Sequence, residues 1–231
     1  MAQGPQTPRG KFITFEGGEG VGKSTQVARL AEHLRARAVD VKTTREPGGS
    51  AFAERARALI LDAGAAPKSA LAQALMFYAA RADHLDETIR PNLDAGTWVL
   101  CDRFSDSTRA YQGAASGVDN KLLATLDALV VGVTQPDLTF LLDLDPRIGM
   151  ARADQRRNSV TLGTFIAADT FESRRLEFHQ RLRDGFQAIA QAEPQRVVVL
   201  DAFENEIAIA ERVWRVVAER FGVALPGGAK D

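Results

Sequence analysis

GGEGVGKST, residues 17–25, follows directly on the apolar run Phe12–Phe15 and leads into a segment with helical spacing. Its Gly17, Gly22, Lys23 and Ser24 satisfy the pattern G-x-x-x-x-G-K-[ST]. Glycines there let the backbone turn tightly with its N–H groups pointing inward, and the following helix adds its positive N-terminal end. Such a loop fits a chain of phosphates. In this reading Gly17, Gly18, Glu19, Gly20, Val21, Gly22, Lys23, Ser24 and Thr25 form the ATP-binding loop, Lys23 reaches the β- and γ-phosphates, and Ser24 ligates Mg2+. The plainer alternative is an ordinary glycine turn before a helix; the position between a strand and a helix, where a phosphate loop must sit, favours the first reading.

Outward from the loop, further strand-length apolar runs occur at Val39–Thr43, Trp98–Cys101, Leu138–Leu142 and Val197–Leu200. Longer stretches of helical spacing separate them, near 24–37, 51–62, 69–90, 104–113, 119–131, 171–191 and 205–221. In the third of these, Leu71, Leu75, Tyr78, Ala82, Leu85 and Ile89 make one apolar stripe, which Pro91 is expected to end. The alternation predicts an α/β fold, the three-layer sandwich of P-loop NTPases. A central parallel sheet of about five strands would carry helices on both faces and a small lid. Residues 11–223 are expected to form one domain between flexible tails at 1–10 and 224–231. The least patterned segment, Asp154–Asp169, suggests a flap, with the lid at about 152–170.

Composition removes several classes of function. The 231 residues carry 29 basic and 30 acidic side chains, a net charge of −1, so no general attraction draws the chain to nucleic acid or an anionic membrane. Cys101 alone cannot form an intrachain disulfide, and no apolar run approaches the ~20 residues of a membrane span. The opening MAQGPQTPRG does not read as a signal peptide. A cytoplasmic protein is expected.

A phosphate loop serves motors, switches and kinases alike, so the second substrate has to be sought elsewhere. Asn120-Lys121-Leu122-Leu123 lacks the aspartate of a guanine-reading N-K-x-D, and Asp102-Arg103-Phe104-Ser105 lacks the glycine of a D-x-x-G switch. Asp102 ends the Trp98 strand, where a P-loop fold needs a carboxylate for the metal's water shell; a helix N-cap is the competing role. Arginines stand where an acceptor phosphate could be held: Arg45 and Arg103 after strands, and Arg152, Arg156 and Arg157 in the flap. Transfer between two anions needs such clamps, which favours a nucleotide kinase.

From Lys11 to about Phe221 the chain resembles the thymidylate kinases, through FEGGEGVGKST at 15–25, TREPGG at 44–49, LMFYAARADH at 75–84, DRFSDSTRAYQG at 102–113 and PDLTFLLD at 136–143. The resemblance implies transfer of a phosphoryl group from MgATP to dTMP, a homodimer, and a cis Glu46–Pro47 peptide. It assigns metal to Asp102, and acceptor phosphate to Asp102's neighbour Arg103 and to Arg45. Phe77 and Arg81 lie four apart on one helical face, suited to an aromatic stack beside a guanidinium. The resemblance makes them the thymine readers, against a bland reading of core packing and a surface ion pair. It further implies that Tyr111 crowds the sugar's 2′ position, with helix packing as its competitor. Ser107, Thr108 and Gln112 would contact dTMP, and Glu19 would reach the 3′-hydroxyl. One branch of the family has arginine at the place of Gly20; this chain resembles the bacterial branch, in which lid arginines, here Arg152 and Arg156, meet the transition-state charge. Thr170 stands where arginine is common, with Arg157, Arg174 or Arg175 available to compensate.

Overall fold

The computed structural model describes residues 8–62, 64, 66–160 and 169–223, and for 156–160 and 169–174 the backbone only. Five parallel strands run β1 (Phe12–Glu16), β2 (Val41–Arg45), β3 (Trp98–Asp102), β4 (Leu138–Asp143) and β5 (Val197–Asp201), in the spatial order β2-β3-β1-β4-β5. β1 is buried along its whole length because it lies at the centre with both faces covered. Its alternation divides two cores. Ile13 and Phe15 face α1 (Lys23–Arg35) and α9 (Glu206–Phe221), which supply Leu30, Leu34, Val213 and Val217. Phe12 points the other way and packs with Val99, Cys101, Leu85, Ile89 and Leu93. The expected covering of both faces is borne out.

The order of strands positions the site. The chain leaves β1 and returns beside it first as β3 and later, on the other side, as β4, so β1 ends at the point where the winding reverses. A crevice opens there outside the carboxyl ends of the strands, and the loop 17–24 springs from it.

Several boundaries differ from those expected. β2 starts at Val41 rather than Val39, because Ala38 turns left-handed (φ 57°) and the Val39 N–H closes back on the Leu34 carbonyl at 3.1 Å. α2 is Ala51–Leu61, and α3, Ala70–His84, is capped by the Ser69 hydroxyl. Pro91 does not end the helical run. A π turn at Leu85–Ile89, with the Arg90 N–H donating to the Leu85 carbonyl, shifts the ladder ahead of the proline, and α4 continues over Arg90–Asp94. The outer part of the expected apolar stripe is not core: Leu71 and Leu75 are 43% and 48% exposed.

The segment expected as one helix at 104–113 is a short α5 (Ser105–Thr108) followed by a π turn, Arg109–Ala115. α6 covers Asn120–Val130. The flap expected from residue 152 begins instead as helix: α7 runs Pro146–Val160 and α8 runs Asp169–Ala192, leaving 161–168 outside the described residues. Arg152 and Asp154 are thus on a helix rooted against the phosphate loop. No helix among the described residues is long and apolar enough to cross a membrane.

Candidate active site

The loop is closed on itself by Lys23. Its ammonium donates to the carbonyl oxygens of Gly17, at 3.1 Å, and Gly18, and is almost wholly buried. Burial, followed by the positive Arg103 nearby, pushes its pKa down to about 7. Gly22, the N-cap of α1, offers no side chain to the first-turn N–H groups, which leaves them for an anion. The Ser24 hydroxyl donates to the Asp102 carboxylate, so two hard oxygen donors from separate elements converge beside the loop. Gly20 has φ 71°, and a Cβ there would lie 2.1 Å from the Gly149 carbonyl oxygen; a Cβ on Gly149 would lie 2.5 Å from that of Glu19. The loop and the first turns of α7 therefore touch backbone to backbone.

Across the crevice, Arg103 follows β3 in a left-handed conformation (φ 70°) with its N–H on the Phe15 carbonyl at 2.9 Å. Its guanidinium spans the loop and α5: one nitrogen donates to Gly17 O (2.9 Å) and Ser107 Oγ (3.1 Å), another to Gly18 O (3.4 Å). The Tyr111 ring lies beside it, with its centroid 5.1 Å from the guanidinium carbon. Beneath sits Glu16, 1% exposed, accepting from the Phe104 N–H (2.7 Å), the Ser107 N–H (3.3 Å) and the Ser107 hydroxyl (2.6 Å). Burial, then the charge of Asp106, pushes its carboxyl up to about 7.

Next to Arg103 opens a cavity of about 220 Å³, lined among others by Glu19, Pro47, Arg57, Phe77, Arg81, Ser107, Thr108, Tyr111 and Gln112. Arg81 is 2% exposed and its fork is fixed on two sides: Nε donates to Glu46 Oε2 at 2.8 Å and Nη2 to Thr108 Oγ1 at 3.0 Å. Nη1 alone is buried with no partner. Glu46 is held in turn by His84 Nδ1 at 3.0 Å, and His84 Nε2 lies 2.7 Å from Thr44 Oγ1. Arg81 and Glu46 form a buried ion pair, with His84 on the second carboxylate oxygen. A guanidinium so pinned leaves one nitrogen, Nη1, without a partner at the wall of a cavity suited to a flat, apolar ligand held against Phe77.

A second recess, about 270 Å³, lies behind the loop between Val21, Thr25, Gln26, Arg152, Ala202 and Asn205. Arg152 Nη1 donates to the Ala202 carbonyl at 3.0 Å. The arginine expected over the transferring phosphate thus lines this recess instead, because α7 carries it outward along the loop. Arg156, Arg157 and Arg174 have side chains outside the described residues.

Of the residues read from sequence, the loop, Asp102, Arg103, Phe77, Arg81, Ser107, Thr108, Tyr111 and Gln112 come together around one crevice. Arg45 does not join them. It is exposed and paired with Glu54 at 3.0 Å, while Arg57 lines the cavity with Nη1 on the Pro47 carbonyl at 2.7 Å. Arg57 carried no signal of its own in AFAERARALIL; only the burial of Ala53 and Ala56 fixes which face of α2 turns inward, leaving Arg55 exposed and Arg57 half-buried. Glu16, Glu46 and His84 were also missed as site-forming groups. Glu46 and Pro47 are joined by a cis peptide, as the resemblance implied.

A family model described as "Thymidylate kinase" matches residues 15–213. A thymidylate kinase of Afipia carboxidovorans is 46% identical over 222 residues, covering 96% of this chain and 95% of its own. One from Caulobacter vibrioides is 47% identical, covering 93% and 99%. Among solved structures, a thymidylate kinase from Ehrlichia chaffeensis superposes with a TM-score of 0.72 at 35% identity, over 91% of this chain and 99% of that one.

Proposed function

The chain belongs to the thymidylate kinase family, and from this premise we infer that it transfers the γ-phosphoryl group of ATP to dTMP, giving dTDP and ADP, a step of nucleotide biosynthesis. The observation that carries the reading is the pairing of a phosphate loop with a separate, arginine-lined cavity, at whose wall Arg81 is pinned by Glu46 and Thr108 with its Nη1 unpaired. A switch or motor has no use for the second compartment.

In this reading the donor phosphates lie in the loop 17–25, on the first-turn N–H groups of α1 and on Lys23, which exchanges the Gly17 and Gly18 carbonyls for phosphate oxygens. The recess beside Arg152 and Asn205 takes the adenine. Thymine stacks on Phe77 with a carbonyl on Arg81, Thr108 and Gln112 line the base, and Tyr111 stands against the sugar. Glu19, which lines both this cavity and the small hollow under the loop, is the candidate for the 3′-hydroxyl. Arg103 and Arg57 hold the acceptor phosphate; Arg45, drawn to Glu54, supports from the rim. The Ser24 and Asp102 oxygens fit Mg2+, which binds few protein ligands and many phosphate oxygens and waters. When bound, the ion supplies positive charge against the donor's phosphate oxygens. The protein's own part is positioning and charge neutralisation, with no covalent intermediate. Arg156, in the last two turns of α7, remains the proposed lid cation.

The phosphate assignment has a direct check. Arg57→Ala is expected to raise the KM for dTMP about 10- to 100-fold and leave that for ATP within about threefold, whereas Arg45→Ala shifts the dTMP KM several-fold at most. Steady-state kinetics with each substrate varied would decide, and the reverse ranking would return the phosphate to Arg45.

Function itself is tested by a panel of nucleoside monophosphates with MgATP. Turnover is expected with dTMP, and with dUMP about 10- to 200-fold less efficiently, since one methyl group against an apolar wall is worth ~1–3 kcal/mol. A different best acceptor would replace the named substrate. The proposal includes a cytoplasmic location and a homodimer. Exposed Phe52 and Leu59 on α2 and Leu71 and Leu75 on α3 give the pair an apolar face to bury, so the same preparation should sediment at twice the chain mass.

A further inference from the structure

Glu16 is an expensive residue for the fold. It ends the central strand with 1% of its surface exposed, in a place where an apolar side chain would pack without the cost of desolvating a carboxylate. Its hydrogen bonds all run to one segment. Oε1 accepts from the backbone of Phe104 and Ser107, and Oε2 from the Ser107 hydroxyl. A hydroxyl that gives its only proton to a carboxylate has oxygen lone pairs left to accept, and Ser107 Oγ accepts from Arg103 Nη1 at 3.1 Å. The chain Glu16–Ser107–Arg103 thus has one consistent direction.

Arg103 needs such a brace. Its left-handed backbone is a conformation a non-glycine residue keeps only where its surroundings hold it, at a cost on the order of 1–3 kcal/mol. The bonds that hold it lie on either side: its own N–H on Phe15, the residue before Glu16, and the next N–H, that of Phe104, on Glu16 itself. The guanidinium then reaches both the loop carbonyls and the edge of the acceptor cavity.

We propose that Glu16 is a positioning residue for phosphoryl transfer: through Ser107 and the turn at Phe104 it fixes the Arg103 guanidinium between the phosphate loop and the acceptor cavity. The inference rests on the dTMP kinase reading above. It also gives Ser107 a different task from a contact to the base, since its proton is committed to Glu16.

Glu16→Gln keeps the size and an oxygen for the two backbone N–H groups, but its amide would donate to Ser107 Oγ and compete with Arg103. The expected result is a fall in kcat/KM for dTMP of about 10- to 100-fold, as small misplacements of a clamp cost, with the effect on the dTMP KM several times that on the ATP KM and the melting temperature little changed. Ser107→Ala cuts the same chain one link later and is expected to reproduce that loss. Because the two act in series, the double variant should be no worse than the worse single one. Wild-type kinetics in Glu16→Gln, or losses that multiply in the double variant, would overturn the proposal. Should Glu16→Gln not fold, Ser107→Ala decides alone, and unchanged dTMP kinetics in it overturns the idea. Calorimetric titration of dTMP onto parent and variants separates this from the assignment of function. A parent that binds dTMP but turns over only another acceptor removes the substrate reading, while equal dTMP affinity in parent and Glu16→Gln removes the role of Glu16.

Discussion

Lys23→Ala is expected to lower kcat by about 10³-fold or more while leaving the melting temperature unchanged or slightly higher. The loss follows from removing the one buried cation of the phosphate loop, in a site where charge stabilisation and alignment carry the reaction. The second half of the expectation comes from the cost of that burial, which holds the pKa near 7 against an ordinary value of 10.5. Between those two values the unfolded chain binds a proton that the native protein lacks. Native stability contributed by this group therefore rises with pH across that window, and below it the protein carries the cost of a desolvated ammonium. Melting curves from pH 7 to 10 should show that rise in the parent and a flatter profile in the variant. Near-parental turnover in Lys23→Ala would remove the loop from the mechanism, whatever the thermal data.

Arg81→Ala should raise the KM for dTMP by about 100-fold or more, with little change for ATP, and should destabilise the protein by about 3–5 kcal/mol. The two effects share one cause. Removing the guanidinium deletes the donor proposed for the base, and it also strands Glu46, a buried carboxylate left with His84 as its remaining side-chain partner. Arg81→Lys is not expected to rescue binding, because an ammonium cannot hold Glu46, Thr108 and a ligand in one plane. Pairing Arg81→Met with Glu46→Gln should recover part of the stability and none of the dTMP affinity. Denaturant titration beside kinetics would show the split. Equal rises in both KM values would count against base reading by Arg81.

The parts of the site that were legible in the sequence are local ones. The loop declares itself by glycine spacing between a buried strand and a helix, and Asp102-Arg103 by falling at the end of another strand. Phe77 and Arg81 are tied by a helical interval of four, which is insensitive to tertiary detail. What stayed hidden depends on contacts between elements. Nothing in the sequence distinguishes Arg45, drawn aside by Glu54, from Arg57, turned inward by the packing of Ala53 and Ala56. RADQRRNSV, 152–160, has no apolar stripe, so its continuation of α7 was read as a flap, and with it the direction taken by Arg152 was lost. A glutamate immediately before a phosphate loop looks like one more polar residue until the fold closes Phe104 and Ser107 over it.

The contact of Gly20 with Gly149 bears on how this enzyme could change over generations. Any side chain at 20 collides with main chain at 149 unless the root of α7 withdraws, a steric ridge between this chain and one that would carry a cation at that place in the loop. No single substitution crosses that ridge with the loop intact. A change that placed a cation at 20 would first have to open the space and only then fill it, so each of the two positions limits what the other can become.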